Sequence, residues 1–253
     1  MLSVTRRQEI QDLVREHKSV TVVDLAKRFS VTTETIRRDL RALEEQGVLL
    51  RSYGGAFVQS GVENAINSDI RADAFKESKT IIGGRARKLI ENGDVILLDN
   101  STTAYFIAQC IQDMRLTVMT CNLRIIDLLS RQENIVLMAL GGKLAIDEQS
   151  FYGEATLRML RDYHFDKAFF SCRSISREQG VTDSKERWAQ LHRTIIQQAK
   201  ARYLIADYNK FDKTSFINVC DFHAIDGIIT DRQLDPSWHE SLAACGVKVF
   251  DED

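Results

Sequence analysis

Apolar residues recur at helical spacing in three stretches near the start of the chain, and each stretch predicts a short amphipathic helix. The first stretch runs from Thr5 to about His17, and the second runs from Val22 to Phe29. Lys18–Thr21 is predicted to form the turn between them. Ser19 or Thr21 would then cap the second helix.

The third helix follows a polar, β-branched break at Ser30-Val31-Thr32, and Thr32 or Thr33 would cap it. One side of this helix is apolar and the other is cationic, a division that suits the major groove of DNA. An ordinary helical hairpin with a solvated charged face is the alternative that this pattern leaves open. The apolar side holds Ile36, Leu40 and Leu43, and the polar side holds Thr33, Arg37, Arg38 and Arg41.

Residues 48–58 predict two short strands joined through a hinge that contains Gly54 and Gly55. Three helices followed by a β-hairpin form a winged helix-turn-helix, in which the hairpin is the wing. The wing would bring Arg51 and Tyr53 near the DNA backbone or the minor groove. We therefore expect a DNA-binding domain at 1–58 and a linker at 59–74, where apolar periodicity is lost.

From residue 75 onward, helical stretches alternate with short β-branched runs. Gly83 and Gly84 interrupt the first of these helices, which indicates close packing or a bend. The alternation predicts an α/β domain at 75–253, with a mostly parallel sheet and helices on both of its faces. The predicted strands are 95–98, 116–119, 135–140, 167–170, 203–206, 227–230 and 247–250, and the predicted helices are 75–90, 103–112, 122–130, 153–162, 184–199 and 236–244.

Polar residues follow these strands at the edge where open α/β sheets bind ligands. After the first strand, Asp99 precedes Ser101, Thr102 and Thr103, which run straight into a helix. Hydroxyl groups and free amides at a helix N-terminus can hold a phosphate group. A plain structural explanation stays open, because Ser-Thr-Thr is also a good helix cap and Gly-Gly is also a turn. The polar residues after later strands are Thr120, Asn122, Gly141, Gly142, Lys143, Arg173, Asp207 and Lys210.

Charge is unevenly divided along the chain. Residues 1–58 hold ten basic and eight acidic residues, whereas the remainder holds 24 basic and 28 acidic residues, the sign expected of a nucleic-acid-binding head on an acidic body. The five cysteines are scattered without a CxxC pair, so we expect neither a disulfide framework nor a zinc site. No cofactor is expected either. Without a secretory segment or a membrane-length apolar run, the chain is expected to be cytoplasmic and to have no membrane partner.

Two groups of motifs resemble the DeoR family of bacterial transcription regulators. In the head they are residues 34–47, around Ile36-Arg-Arg-Asp-Leu40, and the wing end Gly54-Gly55-Ala56. The resemblance implies a body similar to phosphosugar isomerases of the ribose-5-phosphate type. The matching pieces of the body are Asp99-x-Ser-Thr-Thr103, Thr120-x-Asn122, Gly141-Gly142, Gly153-Glu-Ala155, Gly180 with Asp183 and Glu186, and Asp207-x-x-Lys-Phe211.

For the head, the resemblance implies that the chain binds double-stranded operator DNA. Asp39 is expected to fix an arginine or to cap a neighbour, because phosphates would repel its carboxylate. The expected DNA-binding set is Ser19, Thr32, Thr33, Thr35, Arg37, Arg38, Arg41, Arg51, Tyr53 and Gly54.

For the body, the resemblance implies a phosphorylated sugar or a close derivative as effector, with Asp99 and Glu186 on its hydroxyl groups. Cys121 and Asn209 depart from the family pattern, which has Asn and Ser there, and both fall at the expected pocket. Trp188 would either wall this pocket or pack in the core. The expected effector-binding set is Asp99, Ser101, Thr102, Thr103, Thr120, Asn122, Gly141, Gly142, Arg173, Asp183, Glu186, Asp207 and Lys210.

These expectations describe a repressor of a carbohydrate-use operon with no catalytic residue. It would act as a homodimer or homotetramer, because twofold operators require at least a dimer. An activator built from the same parts is one alternative. A phosphosugar isomerase with a DNA-binding head is the other, with Asp99, Glu186, Asp207 and Lys210 as an acid/base set.

Overall fold

The computed structural model describes residues 2–17, 19–46, 48–51, 55–57 and 75–252. The chain divides into two compact units, residues 1–76 and 77–253. The expected linker at 59–74, together with Tyr53 and Gly54 of the wing, lies outside the described residues.

The first unit has the three helices and the wing that the sequence predicts. Its apolar cluster is lined by Ile10 and Leu13 of the first helix, Leu25 of the second, and Ile36 and Leu40 of the third. The helices are α1 (Ser3–His17), α2 (Val22–Phe29) and α3 (Thr33–Glu45), and the strands are β1 (Ser19–Thr21), β2 (Leu50–Arg51) and β3 (Gly55–Phe57).

The prediction of a turn before α2 is wrong for residues 19–21, which form strand β1. This segment is extended because it pairs antiparallel with β3, where Val20 lies opposite Ala56. Such a distant partner leaves no trace in the local sequence. Thr21 caps α2, since its hydroxyl accepts a hydrogen bond of 3.0 Å from the amide of Asp24.

The second unit is built on a sheet of seven parallel strands, which confirms the α/β prediction. The strands of this sheet are β4 (Val95–Leu98), β5 (Leu116–Thr120), β6 (Ile135–Ala139), β9 (Phe165–Phe170), β12 (Ala199–Ile205), β14 (Gly227–Ile229) and β15 (Lys248–Phe250). Their order across the sheet is β15-β14-β12-β9-β4-β5-β6. The helices are α4 (Lys76–Arg87), α5 (Thr102–Cys110), α6 (Leu123–Leu129), α7 (Glu154–Arg161), α8 (Glu186–Gln198) and α9 (Pro236–Ala244).

Alternate residues of the strands enter separate apolar clusters on the two faces of the sheet. Leu97 of β4 joins the cluster that α7, α8 and α9 cover, whereas Ile96 and Leu98 join the cluster that α4, α5 and α6 cover. The central strands β4, β5 and β9 are therefore buried on both faces, which explains their continuous apolar runs.

Gly83 marks a close approach of α4 to α5. A Cβ atom at this position would lie 2.8 Å from the carbonyl oxygen of Phe106, so only glycine allows the two helices this separation. Close packing, one of the two expectations for the glycine pair, is confirmed. A Cβ at Gly84 would meet nothing within 4 Å.

The sequence pattern did not indicate two smaller sheets of the second unit. One is the hairpin of β7 (Lys143–Ala145) and β8 (Ser150–Tyr152). The other is antiparallel and contains β10 (Ser174–Ser176), β11 (Gly180–Asp183) and β13 (Ile217–Cys220). Strands of three or four residues are too short for a periodicity to be visible.

Candidate functional sites

Helix α3 begins with a hydroxyl cap of the kind that the sequence indicates. The side chain of Thr32 accepts a hydrogen bond of 3.3 Å from the amide of Thr35, and the two hydroxyl oxygens lie 3.0 Å apart. Thr33 is the first residue of the helix and is exposed. Of the two expected caps, Thr32 is therefore the one that the structure uses.

The two sides of α3 are as distinct as the pattern predicts. Arg38 and Arg41 are exposed, on the side of the helix opposite the head core. Arg37 is partly exposed, and its guanidinium lies 3.7 Å from the carboxylate of Glu34. The exposed side therefore presents cationic and hydroxyl groups, the types of side chain that contact phosphates and base edges in protein–DNA complexes.

Asp39 holds α1 against α3. Its side chain is buried, and its two oxygens accept hydrogen bonds from Arg6 at 2.6 Å and from Arg7 at 3.2 Å. The expectation that Asp39 fixes an arginine is confirmed, and the ion pair sets the position of α3 relative to α1.

Arg51 ties the wing to the end of α3. Its backbone amide and its Nε donate to the two carboxylate oxygens of Glu44 at 3.1 and 2.6 Å. This pair holds β2 near the helix that carries Arg38 and Arg41. Ser19 begins β1, and the expected contacts Tyr53 and Gly54 fall outside the described residues.

In the second unit, the direction of chain progression reverses between β4 and β9. From β4 the chain moves outward through β5 to β6, and from β9 it moves the other way through β12, β14 and β15. Ligands of open α/β sheets bind at such a switch point, beyond the carboxyl ends of the strands. The residues that follow β4 and β9 are Asp99 and Ser171.

Asp99 bridges these two strand ends. One carboxylate oxygen accepts from the amide of Ser101 at 2.9 Å, and the other accepts from the amide of Ser171 at 2.8 Å and lies 3.1 Å from Nε2 of His192. Burial raises the pKa of this carboxyl, but the hydrogen bonds and the charge of His192 outweigh it and leave the pKa below its usual value. Asp99 is therefore an ionised anchor whose hydrogen bonds go to the protein.

The start of α5 lies directly beside this anchor. Ser101 caps the helix by accepting a hydrogen bond of 3.0 Å from Ala104, Thr102 is partly exposed, and Thr103 is buried. Asn122 supports the same loop, since its amide nitrogen donates to the carbonyl oxygens of Asn100 and Ser101 at 3.2 Å. The buried hydroxyl of Thr120 accepts from the amide of Asn122 at 3.1 Å.

Lys210 reaches the same place from the end of β12. Its ammonium donates to the hydroxyl of Ser171 at 2.7 Å and lies 4.0 Å from the carboxylate of Asp207. The Ser171 hydroxyl donates in turn to the carbonyl of Ile205. The structure thus brings Asp99, Ser101 and Lys210 together through Ser171, although they are far apart in sequence.

Four other expected residues have structural contacts of their own. Gly142 lies so close to β8 that a Cβ atom would be 2.6 Å from the carbonyl oxygen of Tyr152, and the carbonyl of Gly141 accepts from the Thr156 hydroxyl at 2.7 Å. The carboxylate of Asp183 accepts from the amide of Ser184 at 2.6 Å. The amide of Arg173 donates to the carbonyl of Thr182 at 3.1 Å.

Glu186 lies on the exposed side of α8, apart from the contacts of Asp99. Its carboxylate accepts from Gln190 at 3.3 Å and from Arg193 at 3.4 Å, both on the same helix. Periodicity could have indicated this orientation, because the buried side of α8 is defined by Trp188, Leu191 and Ile195.

The two departures from the family pattern have different surroundings. The side chain of Cys121 belongs to the apolar cluster under α7, α8 and α9, and burial raises the pKa of its thiol well above the usual range. The charge of Asp99 also raises the pKa of this thiol, and its placement at the effector pocket stays a prediction. Asn209 donates from its side-chain amide to Asp207 at 3.2 Å, so it stabilises the loop that carries Lys210.

Sequence reasoning missed His192 and Glu148. His192 is buried in the middle of α8, with Nε2 facing Asp99 and with Nδ1 3.9 Å from the carboxylate of Asp183. Glu148 is buried and accepts hydrogen bonds from Lys185 and, at 2.8 Å, from Arg187. Neither residue lies at a predicted strand end, and only folding brings their partners near.

The two units define a class of protein: a winged helix-turn-helix with a cationic recognition helix, joined to an α/β domain with a polar switch point. The chain belongs to the DeoR family of transcription regulators. A family model described as the DeoR-like helix-turn-helix domain matches residues 6–61, and the model of the DeoR C terminal sensor domain matches residues 74–232. No helix of the described residues is long and apolar enough to cross a membrane.

Curated relatives match over nearly their whole length. The HTH-type transcriptional repressor GlcR of Bacillus subtilis (strain 168) is 34% identical over 99% of this chain and 96% of its own. A putative aga operon transcriptional repressor of Escherichia coli O157:H7 is 32% identical over 97% and 92%. The L-fucose operon activator of Haemophilus influenzae is 31% identical over 90% and 92%.

One solved structure shows a more distant likeness. The ribose 5-phosphate isomerase A of Methanocaldococcus jannaschii aligns with 54% of this chain and 54% of its own, at 16% identity and a TM-score of 0.39. A likeness at this level has no bearing on activity.

Proposed function

We propose that this regulator is a repressor of a carbohydrate-use operon and that a phosphorylated sugar or a close derivative releases it from its operator. The observation that carries the proposal is the convergence of Lys210 with the N-terminus of α5 around Asp99 and Ser171. The names of the GlcR and aga relatives support the repressor assignment, whereas the L-fucose relative keeps an activator open as an alternative.

The phosphate of the effector would bind at the start of α5. The first amides of the helix and the hydroxyls of Ser101, Thr102 and Thr103 are donors, and the positive end of the helix dipole favours an anion. The ammonium of Lys210, which contacts Ser171 after β9, adds a formal charge. A phosphate here would replace part of the contact between Lys210 and Ser171 with a charged hydrogen bond.

Asp99 has a different role in this proposal from the one that the sequence suggested. Its buried oxygens accept from Ser101, Ser171 and His192, so it would position the phosphate-binding loop instead of holding a sugar hydroxyl. Glu186, on the outer side of α8, contributes no hydroxyl contact in the proposal. The polar residues that would surround the sugar are Asp183, Asp207, Asn122 and Arg173, and each of them also has contacts within the protein.

On the DNA side, Thr33, Arg37, Arg38 and Arg41 would enter the major groove of each half-site. Two copies of the head are needed for a twofold operator, so the acting form is a homodimer or homotetramer. The effector would release DNA by binding more tightly to an arrangement of the heads that no longer matches the half-sites.

A test of the proposal uses the full chain with its operator and a panel of sugar phosphates. A thermal-shift screen first finds the effector, because a ligand of the folded state raises the melting temperature. Fluorescence anisotropy then measures release from labelled operator DNA. Lys210→Ala is expected to keep operator affinity and to lose release, and normal release by this variant would contradict the phosphate assignment.

An isomerase with a DNA-binding head is the second candidate, favoured by the buried Asp99–His192 pair beside Lys210. Turnover of pentose or hexose phosphates by the purified chain would support it. Effector-sensitive operator binding without turnover would exclude it.

A further inference from the structure

Buried polar atoms without a hydrogen-bond partner are concentrated on α8 and on the loop after β4. Among the described residues, five buried side-chain polar atoms have no hydrogen-bond partner, and four of them belong to Asn100, Arg187, Trp188 and His192. Buried polar atoms are almost always bonded, so such a concentration marks a place where a ligand supplies the missing partners. Two of the four, Nε of Arg187 and Nε1 of Trp188, are N–H donors on neighbouring residues.

Arg187 and Trp188 line a pocket of about 80 Å³ between the first turns of α7 and α8. Trp188 is 4% exposed. The guanidinium of Arg187 lies 4.8 Å from the ring centroid of Tyr152 and 5.3 Å from that of Trp188, and it donates to Glu148 at 2.8 Å. Stacking and ion pairing hold the guanidinium in place, so Nε is a rigid donor.

The N-terminus of α7 supplies further donors to the same pocket. Gly153 precedes the helix, also lines the pocket, and has no side chain to cap it, and no other side chain among the described residues makes the cap hydrogen bond. The amides of the first turn are therefore available to a ligand. The carboxylate of Glu154, another lining residue, is exposed and bonds to Arg161 at 3.1 Å.

The groups without a side-chain partner on these lining residues are donors: the first amides of α7, the Nε of Arg187 and the indole N–H of Trp188. We propose that the pocket, here called the α7/α8 pocket, binds a small oxyanion, the carboxylate or phosphate group of a metabolite. The volume admits a group of that size. Its donors lie on α7 and α8 and differ from those proposed for the site at Lys210.

The test measures anion binding in a full-length chain whose Lys210 site has been removed. Inorganic phosphate and acetate are titrated calorimetrically into the Lys210→Ala variant, and one anion is expected to bind per chain. Binding of either anion supports the proposal, and the tighter of the two identifies the acid group of the natural ligand. Binding of neither overturns it.

Two further substitutions in the same background assign the site. Trp188→Phe keeps an aromatic side chain but removes the indole N–H together with the five-membered ring, and it is expected to weaken binding about tenfold, as for loss of a hydrogen bond to a charged group. Arg187→Gln is expected to weaken it at least as much, and Lys185 still pairs with Glu148 in this variant.

Arg193→Gln is the matched control, because it removes the same charge from the exposed side of α8, where Arg193 contacts Glu186. Unchanged affinity is expected for this variant. The proposal is overturned if Trp188→Phe binds as tightly as its parent, or if the control loses as much affinity as Arg187→Gln. Operator release plays no part in these measurements, so this proposal and the proposed function can fail independently.

Discussion

The ion pair of Asp39 with Arg6 and Arg7 makes the stability of the head depend on one carboxylate. Asp39 is 2% exposed and Arg6 is 6% exposed, so both charges are buried and each needs the other. Asp39→Asn keeps the size of the side chain but removes its charge. It leaves the guanidinium of Arg6 without a counter-ion. The two residues are 33 positions apart in the sequence, but Nε of Arg6 lies 2.6 Å from the carboxylate of Asp39 in the fold.

The expected cost follows from this burial. Breaking a buried pair by removing one partner costs about 3–5 kcal/mol, because the remaining charge stays desolvated. The pair with Arg7 adds little, since the side chain of that arginine is 34% exposed and solvent screens it. We therefore expect Asp39→Asn to reduce the unfolding free energy of the head by about 3 kcal/mol.

Hydrogen exchange of the full chain, read by mass spectrometry on peptides from α1 and α3, isolates the stability of the head from that of the body. Glu34→Gln is the control, because it removes a negative charge from an exposed position of the same helix. It is expected to cost less than about 0.5 kcal/mol. Equal losses for the two variants would refute the conclusion that burial of the pair, and not charge alone, matters.

Three other predictions follow from the two sites. Arg38→Ala should weaken operator binding at least tenfold by fluorescence anisotropy and leave the melting temperature unchanged, since Arg38 is exposed; a large stability loss would mean a structural role. Folding lowers the pKa of Asp99, so its stabilisation is complete above the usual value of 3.8 and is lost as pH falls through the lower folded-state pKa. Asp99→Asn should therefore destabilise the body at pH 7. The melting temperature of this variant should also fall less than that of the wild type when the pH is lowered. Gly142→Ala should cost about 1–3 kcal/mol in urea denaturation, and Gly141→Ala, whose Cβ meets nothing within 4 Å, should cost much less.

Helical periodicity and local chemistry predicted most of the elements and the role of Asp39. The buried side of α3 was visible as a repeat of apolar residues, and the hydroxyl residues before α2 and α3 are the caps. A carboxylate on a cationic helix has to find a basic partner, so its role as an anchor for arginine was predictable without knowing which arginine. These inferences succeeded because they depend on interactions within a few residues.

The switch point was only partly predictable. Parallel strands place their carboxyl ends at one edge, so the polar residues after them were expected to lie near one another, and Asp99, Ser101 and Lys210 do. The contact of Asp99 with His192 joins residues 93 positions apart, and no local pattern indicates it. The side chain of Cys121 lies in the apolar cluster. Its direction was not predictable, because it depends on which face of the sheet the backbone presents the side chain to.

The sequence by itself determined the family, the two kinds of unit and the cationic side of the recognition helix, because periodicity, caps and motifs are properties of neighbouring residues. Only the tertiary structure decided which polar groups form hydrogen bonds within the protein and which have no protein partner. It gave each oxygen of Asp99 a protein partner and left the Nε–H of Arg187 and the indole N–H of Trp188 without one. Hydrogen-bond satisfaction is settled by the residues that packing brings together from distant parts of the chain.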